Sequence, residues 1–385
     1  MRIAVIGGGP GGLYFAYLWK KRHPDAPIDL FEQNAAGATW GFGVVFSEQA
    51  LEFLRADDPE TVDAIAPRMQ SWSNITLHLR GERVEIDGVG FSSIGRLDLL
   101  GVLQQRLRGV GVTPQYDTLI ASMDQLAGYD LIVAADGLNS FVRRSFEGDF
   151  GSSVSYAANK FAWYGTSKRF ETLSQTFVET DLGAFNAHHY RYAPDMSTFL
   201  VECDRATWRR YGFADKTAEQ SRAICEQVFA GTLDGHPLVS NKSVWRNFPW
   251  IWNEHWSFQN MALIGDALHS AHFSIGSGTR LAIEDAIALV KALEAERDLA
   301  PALARYEAMR KPVVKKLVTA ARTSADWYER FPEHMKLGLM DFAYSYITRS
   351  GRIDDARLRA MSPLFMARYE ASRGERALQS SGNKV

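Results

Sequence analysis

Arg2-Ile-Ala-Val-Ile6-Gly7-Gly8-Gly9-Pro10-Gly11-Gly12, continued by Leu13–Arg22 and then by Ile28-Asp-Leu-Phe-Glu32, is the stretch that decides the fold. The short β-branched run ending in glycine reads as a buried strand, Leu13–Arg22 as a helix and Ile28–Glu32 as a second strand. Strand, helix and strand in such quick succession predict a parallel pair joined by a right-handed crossover, the opening of a doubly wound sheet. The glycines at 7, 9 and 12 satisfy G-x-G-x-x-G. Here glycine permits the tight turn and lets backbone N–H groups approach a pyrophosphate at the helix N-terminus, while Glu32 can accept ribose hydroxyls. Glycine-rich turns are common, so the motif gains meaning from the strand before it and the helix after it. Glu32 disfavours a 2′-phosphate, because two negative charges would meet. The pocket is expected to hold the ADP half of FAD or NAD.

The chain is 385 residues long, more than one core of about 250 to 300 residues sustains, so two packed lobes are expected. Hydrophobic residues make up 46% and charged residues 23%, which gives no case for disorder. A net charge of −2 recommends neither nucleic acid nor an anionic membrane as partner. Cys203 and Cys225 form no C-x-x-C and no metal-like spacing, so no metal, dithiol centre or disulfide framework is expected. Glycines interrupt the apolar N-terminus, which therefore does not read as an export signal, and no run reaches membrane-spanning length. A cytoplasmic setting is the expectation.

Further along, Asn74–Ile86 alternates apolar and polar residues about Gly81 and predicts a hairpin. A helix is expected from Arg96 to Arg108, and a strand over Tyr129–Ala135 that stops at Asp136-Gly137. Residues 156 to 249 are extended and aromatic-rich, with one helical insertion near 217 to 230, and read as an antiparallel sheet. Met261–Ile264 returns to a short apolar strand ending in Gly265-Asp266, and Thr279–Glu294 has helical periodicity. Residues 301 to 372 read as helical, and 374 to 385 as a loose tail. The fold class is thus α/β, a Rossmann-like nucleotide-binding lobe with an inserted antiparallel β-sheet lobe and C-terminal helices.

Asp136-Gly-Leu-Asn-Ser-Phe-Val-Arg143 and Gly265-Asp-Ala-Leu-His269 both sit at strand ends. A lone Asp-Gly is more often a turn or a helix N-cap. Together with the glycine turn, however, these segments resemble the group A flavoprotein hydroxylases, the family of para-hydroxybenzoate hydroxylase. That family carries a D-G-x-x-S-x-V-R segment serving FAD and NAD(P)H, and a G-D-A-x-H segment whose aspartate contacts the FAD ribitol chain. Arg96-Leu-Asp-Leu99 with Leu103 is similar to its R-x-x-L-x-x-x-L helix. The resemblance covers the chain up to about residue 330. Where the family has a proline and a final asparagine after G-D-A-x-H, this chain has Phe273 and Arg280, while Gly276 and Gly278 remain.

The resemblance implies an FAD-dependent aromatic monooxygenase using NADH or NADPH as co-substrate. It places the FAD contacts at Gly7, Gly9, Pro10, Gly11, Gly12, Glu32, Arg96, Asp136, Gly265, Asp266, Gly276 and Gly278. The FAD-binding domain would comprise residues 1–72, 95–155 and 250–325, the substrate-binding sheet 73–94 and 156–249, and a C-terminal helical region and tail 326–385. The helix starting near Ser277 would present its N-terminus to the flavin. Gly265–Leu289, Gly41–Ser47, Ser197–Cys203 and Trp245–Pro249 resemble a narrower subgroup that hydroxylates aromatic acyl-CoA thioesters, including salicylyl-CoA and 2-aminobenzoyl-CoA. The enzymes of the latter carry a reductase-type domain for which 385 residues leave no room.

Salicylyl-CoA is therefore the expected substrate and dioxygen the oxidant, reacting through a flavin C4a-hydroperoxide. The ring hydroxyl directs oxygen to its para carbon, position 5, which gives gentisyl-CoA. Phe161–Ser167 and His272–Gly276 also resemble the violacein-pathway tryptophan hydroxylase, which keeps an indolic or other free aromatic substrate open. A dehydrogenase or reductase without oxygen insertion is a further alternative. His188, on a predicted strand, and His272 are the candidate catalytic residues, since histidine titrates in the useful range. His269 reads as part of the flavin motif. Tryptophans 163, 245, 250, 252 and 256 are candidates for an aromatic pocket, and Lys168, Arg169, Arg191, Arg209 and Arg210 for the thioester phosphates.

Overall fold

The computed structural model of the protein describes residues 1–39, 41–47 and 51–382. Its central sheet runs in the order Ser257–Phe258, Met261–Leu263, Leu131–Ala134, Ile3–Ile6, Ile28–Phe31. The last four of these strands are parallel. Ile3–Ile6 and Leu131–Ala134 are buried at every position, because helices cover both faces of a parallel sheet. Helix α1 (Pro10–Arg22) starts ahead of the expected Leu13, since proline suits the first helical position, where its missing N–H would have no partner. Helices α2 (Arg96–Gly109), α3 (Gly278–Ala295) and α4 (Leu299–Glu329) complete the layer that matters for the site.

An eight-stranded second sheet is built mainly from residues 152–253, with the hairpin Ile75–Leu79/Glu82–Ile86 at one edge. That hairpin turns on Arg80 (φ 53) and Gly81 (φ 78), both left-handed, as a two-residue loop between twisted strands requires. The sheet is not purely antiparallel. Leu173–Thr180 runs parallel to Ile75–Leu79, which no short turn forbids because the two strands come from remote segments. A three-stranded sheet of Gly43–Ser47, Gln70–Trp72 and Phe91–Gly95 is interleaved in sequence with the hairpin of the second sheet. The boundaries expected at 155, 249 and 325 fall inside Ser152–Thr166, Arg246–Asn253 and α4.

One face of the second sheet packs on the short helices Arg205–Arg210, Ala218–Val228 and Ala230–Leu233, where a single helical insertion was expected. The hairpin forms a separate core with the C-terminal helices, among them α5 (Leu339–Thr348). The expected tail is also different, because the last helix continues from Pro363 through Gly374 to Gly382. One internal glycine costs a helix only about 1 kcal/mol. Residues 383–385 of that tail lie outside the described residues.

Three pieces of the nucleotide lobe are clamped by Asp285 of α3, whose side chain has no solvent exposure. Asp285 Oδ2 accepts hydrogen bonds from Gly265 N–H (3.1 Å) and pairs with His269 Nε2 (2.8 Å), while Oδ1 accepts from Arg310 Nε of α4 (2.8 Å). Burial alone would raise the Asp285 pKa, but His269 and Arg310 more than offset it and hold the carboxyl below its ordinary value. A depressed folded pKa gives stability that is complete above the unfolded value near about 3.9 and lost as the pH falls through the folded one. Asp285→Ala takes this acceptor from the buried Arg310 guanidinium, His269 and Gly265 N–H and is expected to cost about 3–5 kcal/mol. Urea denaturation at pH 7 checks this, and an unchanged midpoint would contradict the clamp.

Candidate active site

The glycine turn divides into glycines that pack and glycines that leave room. Gly7 has φ +107, and a Cβ there would lie 2.3 Å from Ala135 O, at the end of the neighbouring strand. A Cβ at Gly12 would lie 2.1 Å from Gly7 O, and one at Gly11 would press on Ala282 of α3 at 3.2 Å. Gly265 (φ +60) meets the same alanine at 3.1 Å, so α1, α3 and the Gly265 turn converge where an added Cβ would crowd Ala282. A Cβ at Gly9 would meet nothing within 4 Å. The N-terminus of α1, with Pro10 in its first turn, has no side-chain cap, so its N–H groups open onto a cleft lined by Gly8, Gly9, Glu32, Asn34, Arg96 and Tyr116. Glu32 Oε2 accepts from Gly8 N–H (2.7 Å), and Oε1 accepts from the backbone and side chain of Asn34 (2.8 and 2.7 Å). A carboxylate has about four acceptor sites, so Glu32 retains one.

Asp136 acts first as a helix cap. Its Oδ2 accepts from Phe141 N–H at 2.7 Å, while Oδ1 is buried with no partner. Ser140 caps the same turn by accepting from Arg143 N–H. The buried Arg143 guanidinium donates to Leu138 O (2.6 Å) and Ala267 O (3.0 Å), stitching the Asp136 loop to the Gly265 turn. Asp266 lies deep in the molecule, yet its side chain is exposed, the signature of a group facing a cleft. Burial raises its pKa, and Arg96 is the main opposing influence. Burial likewise lowers the Arg96 pKa against the pull of Asp266. The two side chains act on one another without forming a salt bridge, so the cleft carries a separated charge pair.

The segment after His269 forms a second uncapped edge. Gly276 takes φ +60, and the N-terminus of α3 has no side-chain cap, because Ser277 Oγ donates to Ile275 O instead. A Cβ at Gly278 would meet nothing within 4 Å. Arg280, at the position of the family's asparagine, turns to Glu284 (2.7 Å) and lies over the Phe53 ring. Two open helix N-termini, a ribose acceptor, the unpartnered Asp136 oxygen and the Arg96–Asp266 gap form a donor and acceptor set that fits a dinucleotide carrying a polar ring edge. Of the sequence-predicted contacts, Gly9, Pro10, Glu32 and Arg96 line one cleft, whereas Gly7, Gly11, Gly12 and Gly265 pack behind it.

Both candidate histidines enter one buried cluster. The His188 ring lies 5.3 Å from Phe273 and 4.9 Å from Tyr328, and the His272 ring lies 4.0 Å from Phe273. Trp250, alone among the nominated tryptophans, stacks on His272 (5.9 Å), beside Phe248. His188 has both nitrogens occupied: Nδ1 faces Gln175 Nε2 at 2.8 Å and Nε2 faces Glu202 Oε2 at 3.3 Å. His272 Nδ1 accepts from Ser274 N–H at 3.3 Å, and no described residue bonds its Nε2. Burial pushes His188 down to about 3 and His272 down to about 4, so both are neutral at pH 7. Burial raises the Glu202 carboxyl, against His272 and the hydrogen bond from Asn159 Nδ2 (2.8 Å).

Glu202 carries the strongest signal that sequence reasoning passed over, a carboxylate inside the apolar run Thr198–Cys203. Arg349 was missed too. Its guanidinium donates to Ser324 Oγ (3.1 Å), Tyr346 O (2.6 Å) and Ser274 O (2.9 Å), tying the C-terminal helices to the His272 loop. The five nominated cations are scattered over the second sheet and its helices. Lys168 pairs with Asp234 (2.8 Å), Arg210 donates to Leu182 O (2.6 Å), Arg191 lies 3.9 Å from Glu171, and Arg169 and Arg209 are exposed.

The FAD binding domain family matches residues 110–321. The chain is 39% identical to salicyloyl-CoA 5-hydroxylase of a Streptomyces species, over 91% of this chain and 70% of that protein. It is 37% identical to 3-hydroxy-4-methyl-anthranilyl-[aryl-carrier protein] 5-monooxygenase of Streptosporangium sibiricum, over 92% of this chain and 95% of that one. The tetrameric form of 2-methyl-3-hydroxypyridine-5-carboxylic acid oxygenase superposes with a TM-score of 0.71 at 17% identity, covering 94% of this chain and 95% of that one, which establishes the shared fold. No helix among the described residues is long and apolar enough to cross a membrane. The chain therefore belongs to the FAD binding domain family and is an FAD-dependent aromatic monooxygenase.

Proposed function

We propose that the chain hydroxylates a 2-hydroxyaroyl thioester, salicylyl-CoA, at ring position 5 to give gentisyl-CoA, in the cytoplasm, with NADH or NADPH as reductant. The observation that carries this reading is that two relatives at 39% and 37% identity, both aligned over nine-tenths of this chain, are named for 5-position oxygenation of aroyl thioesters. The aromatic cluster supports it. Phe248, Trp250, Phe273 and Tyr328 pack on the neutral histidines, with Phe161 against Phe273, beside the buried Glu202, a setting that suits a neutral thioester better than a free carboxylate. FAD, when bound, supplies electron transfer from NAD(P)H and activation of dioxygen.

The residues hold, orient and exclude water. The N-termini of α1 and α3, Glu32, Arg96, Asp136 and Asp266 would hold FAD, with the α3 N-terminus favouring negative charge on the reduced ring. His272 Nε2 is the nitrogen left for the ring hydroxyl; with the imidazole neutral and Nδ1 accepting from Ser274 N–H, Nε2 carries the hydrogen and would donate to the hydroxyl oxygen, orienting the ring. His188 is fixed between Gln175 and Glu202, so it positions the pocket rather than meeting the ring.

NAD(P)H oxidation should be stimulated by salicylyl-CoA, with one oxygen consumed per hydroxylated product. The comparison set is salicylate, 2-aminobenzoyl-CoA and tryptophan, with products identified by mass. Stimulation by salicylate or tryptophan and by neither thioester would overturn the substrate. Gly9→Val should fold normally but bind FAD at least about tenfold more weakly, whereas Gly12→Val should fail to fold. Absorbance at the flavin band against circular dichroism separates the two, and full flavin content in Gly9→Val would count against the cleft. His272→Asn should keep flavin and lose about 10²-fold in hydroxylation rate, more than His188→Asn. The wild-type acid limb should lie near the about 4 of His272. An acid limb at the ordinary histidine value, or a harmless His272→Asn, would reverse the assignment.

A further inference from the structure

Three segments that stand apart in the sequence, Gly41–Ser47, Phe161–Ser167 and Ser197–Cys203, meet at one crossing between the lobes. Gly43 is buried there, and side chains of the second sheet hold both of its backbone groups. Its N–H donates to Thr198 Oγ1 at 3.0 Å, and its carbonyl accepts from the Tyr190 hydroxyl at 2.9 Å. Gly41 O accepts from Asn241 Nδ2 at 3.0 Å. The Phe42 ring lies against Gly165, where an added Cβ would come within 2.5 Å of it, so glycine at 165 makes room for that ring. Ser93 Oγ donates to Arg191 O, and the Trp72 and Tyr190 rings lie 6.1 Å apart, which docks the rest of the three-stranded sheet on the same strand.

Phe42 O accepts from Arg96 N–H at 2.8 Å. Arg96 is the first residue of α2, so its N–H has no partner within the helix, and Gly95 offers no side-chain cap. The crossing therefore supplies what the helix lacks and sets where α2 begins. Gly43 also stands opposite Gly95 in the strand register, which fixes the approach to that helix from the other side. Arg96 lines the dinucleotide cleft with Gly9 and Glu32, so the placement of its guanidinium follows from the placement of this helix start.

Tyr190 and Thr198 face each other across the strands Gly183–Ala193 and Met196–Cys203. His188 is two residues from Tyr190 on the same strand, on the same face and about 7 Å away along it. The strands that bring His188 to Glu202 thus also carry the two side chains that hold Gly43. We propose that Tyr190 and Thr198 are positioning residues for the flavin: through Gly43 and Phe42 they seat the start of α2, and so fix Arg96 against FAD from the lobe that bears the aromatic cluster. This rests on Arg96 as an FAD contact.

The test measures FAD released on dilution of the flavin-loaded protein by flavin fluorescence, with circular dichroism as the check on folding. Tyr190→Phe/Thr198→Val keeps the side-chain shapes and leaves two buried backbone groups unpaired, and it should raise the FAD dissociation constant about tenfold or more. Each single variant should move the constant the same way by about threefold, which carries the test should the double variant misfold. Thr198→Ser keeps the acceptor and should bind FAD within about twofold of wild type. Tyr211→Phe removes a hydrogen bond of the same kind, to Thr180 Oγ1 at 3.0 Å near the opposite end of the Gly183–Ala193 strand, and should leave the constant unchanged. An unchanged constant in Tyr190→Phe/Thr198→Val, an equal rise in Tyr211→Phe, or a rise in Thr198→Ser as large as in Thr198→Val would overturn the positioning role. Arg96→Met should weaken FAD at least as much as the double variant. Unchanged affinity there would overturn Arg96 as the contact and the positioning role with it, whereas weakened affinity there beside an unaffected double variant would overturn the positioning role alone.

Discussion

Asp285 lies on α3 beyond the reach of water, and a carboxylate so placed must be matched by hydrogen-bond donors and positive charge or expelled. The chain matches it from three directions, with the Gly265 backbone, His269 and Arg310. Gly265 and His269 share the turn at the strand end and Arg310 stands on α4, so a single group on α3 fixes that turn and the long helix behind. The turn in turn places Asp266 in the cleft, and α3 places Ala282 against both Gly11 and Gly265. Close approach there depends on small residues, and alignment depends on the carboxylate. Neither device would hold the cleft open alone.

Local chemistry was the legible part. The glycine turn, the buried strands on either side of it and the hairpin at Gly81 are dictated by backbone freedom and by the period of the apolar residues, which act within a few positions of one another. The cleft residues Glu32, Arg96 and Asp266 were legible for the same reason, each standing at an element end that the pattern marks. Glu202, Asn159, Asp285 and Arg349 were not. Their partners come from far along the chain, as with Asn159 and Tyr328 O or Arg349 and Ser274 O, and no spacing records that meeting. The parallel pairing of Leu173–Thr180 with Ile75–Leu79 was hidden likewise, because strand direction is set by which remote segment arrives, not by composition.

His188 and His272 show where residue type stops being informative. Both are buried, both are neutral, and both touch Phe273. What separates them is occupancy. The sheet presents Gln175 and Glu202 to the two nitrogens of His188, whereas His272 caps its own short turn with one nitrogen and keeps the other. An imidazole in a strand between two hydrogen-bonding neighbours is a girder; the same ring at the head of a loop remains available to a ligand.

The hairpin Ile75–Ile86 buries its apolar face against residues as distant as Phe342 and Phe365. During synthesis that face emerges about 280 residues before its last cover, and at 5–20 residues per second roughly 15 to 55 seconds pass between the two. The flavin lobe's first strand, helix and second strand are complete well before then, but the sheet beside them still lacks a floor. A ribosome-bound chain therefore exposes a sticky two-stranded edge for most of its translation, and the C-terminal helices act as the closing seam. Truncation of that end would be felt first as insolubility of the nascent protein, far from any flavin.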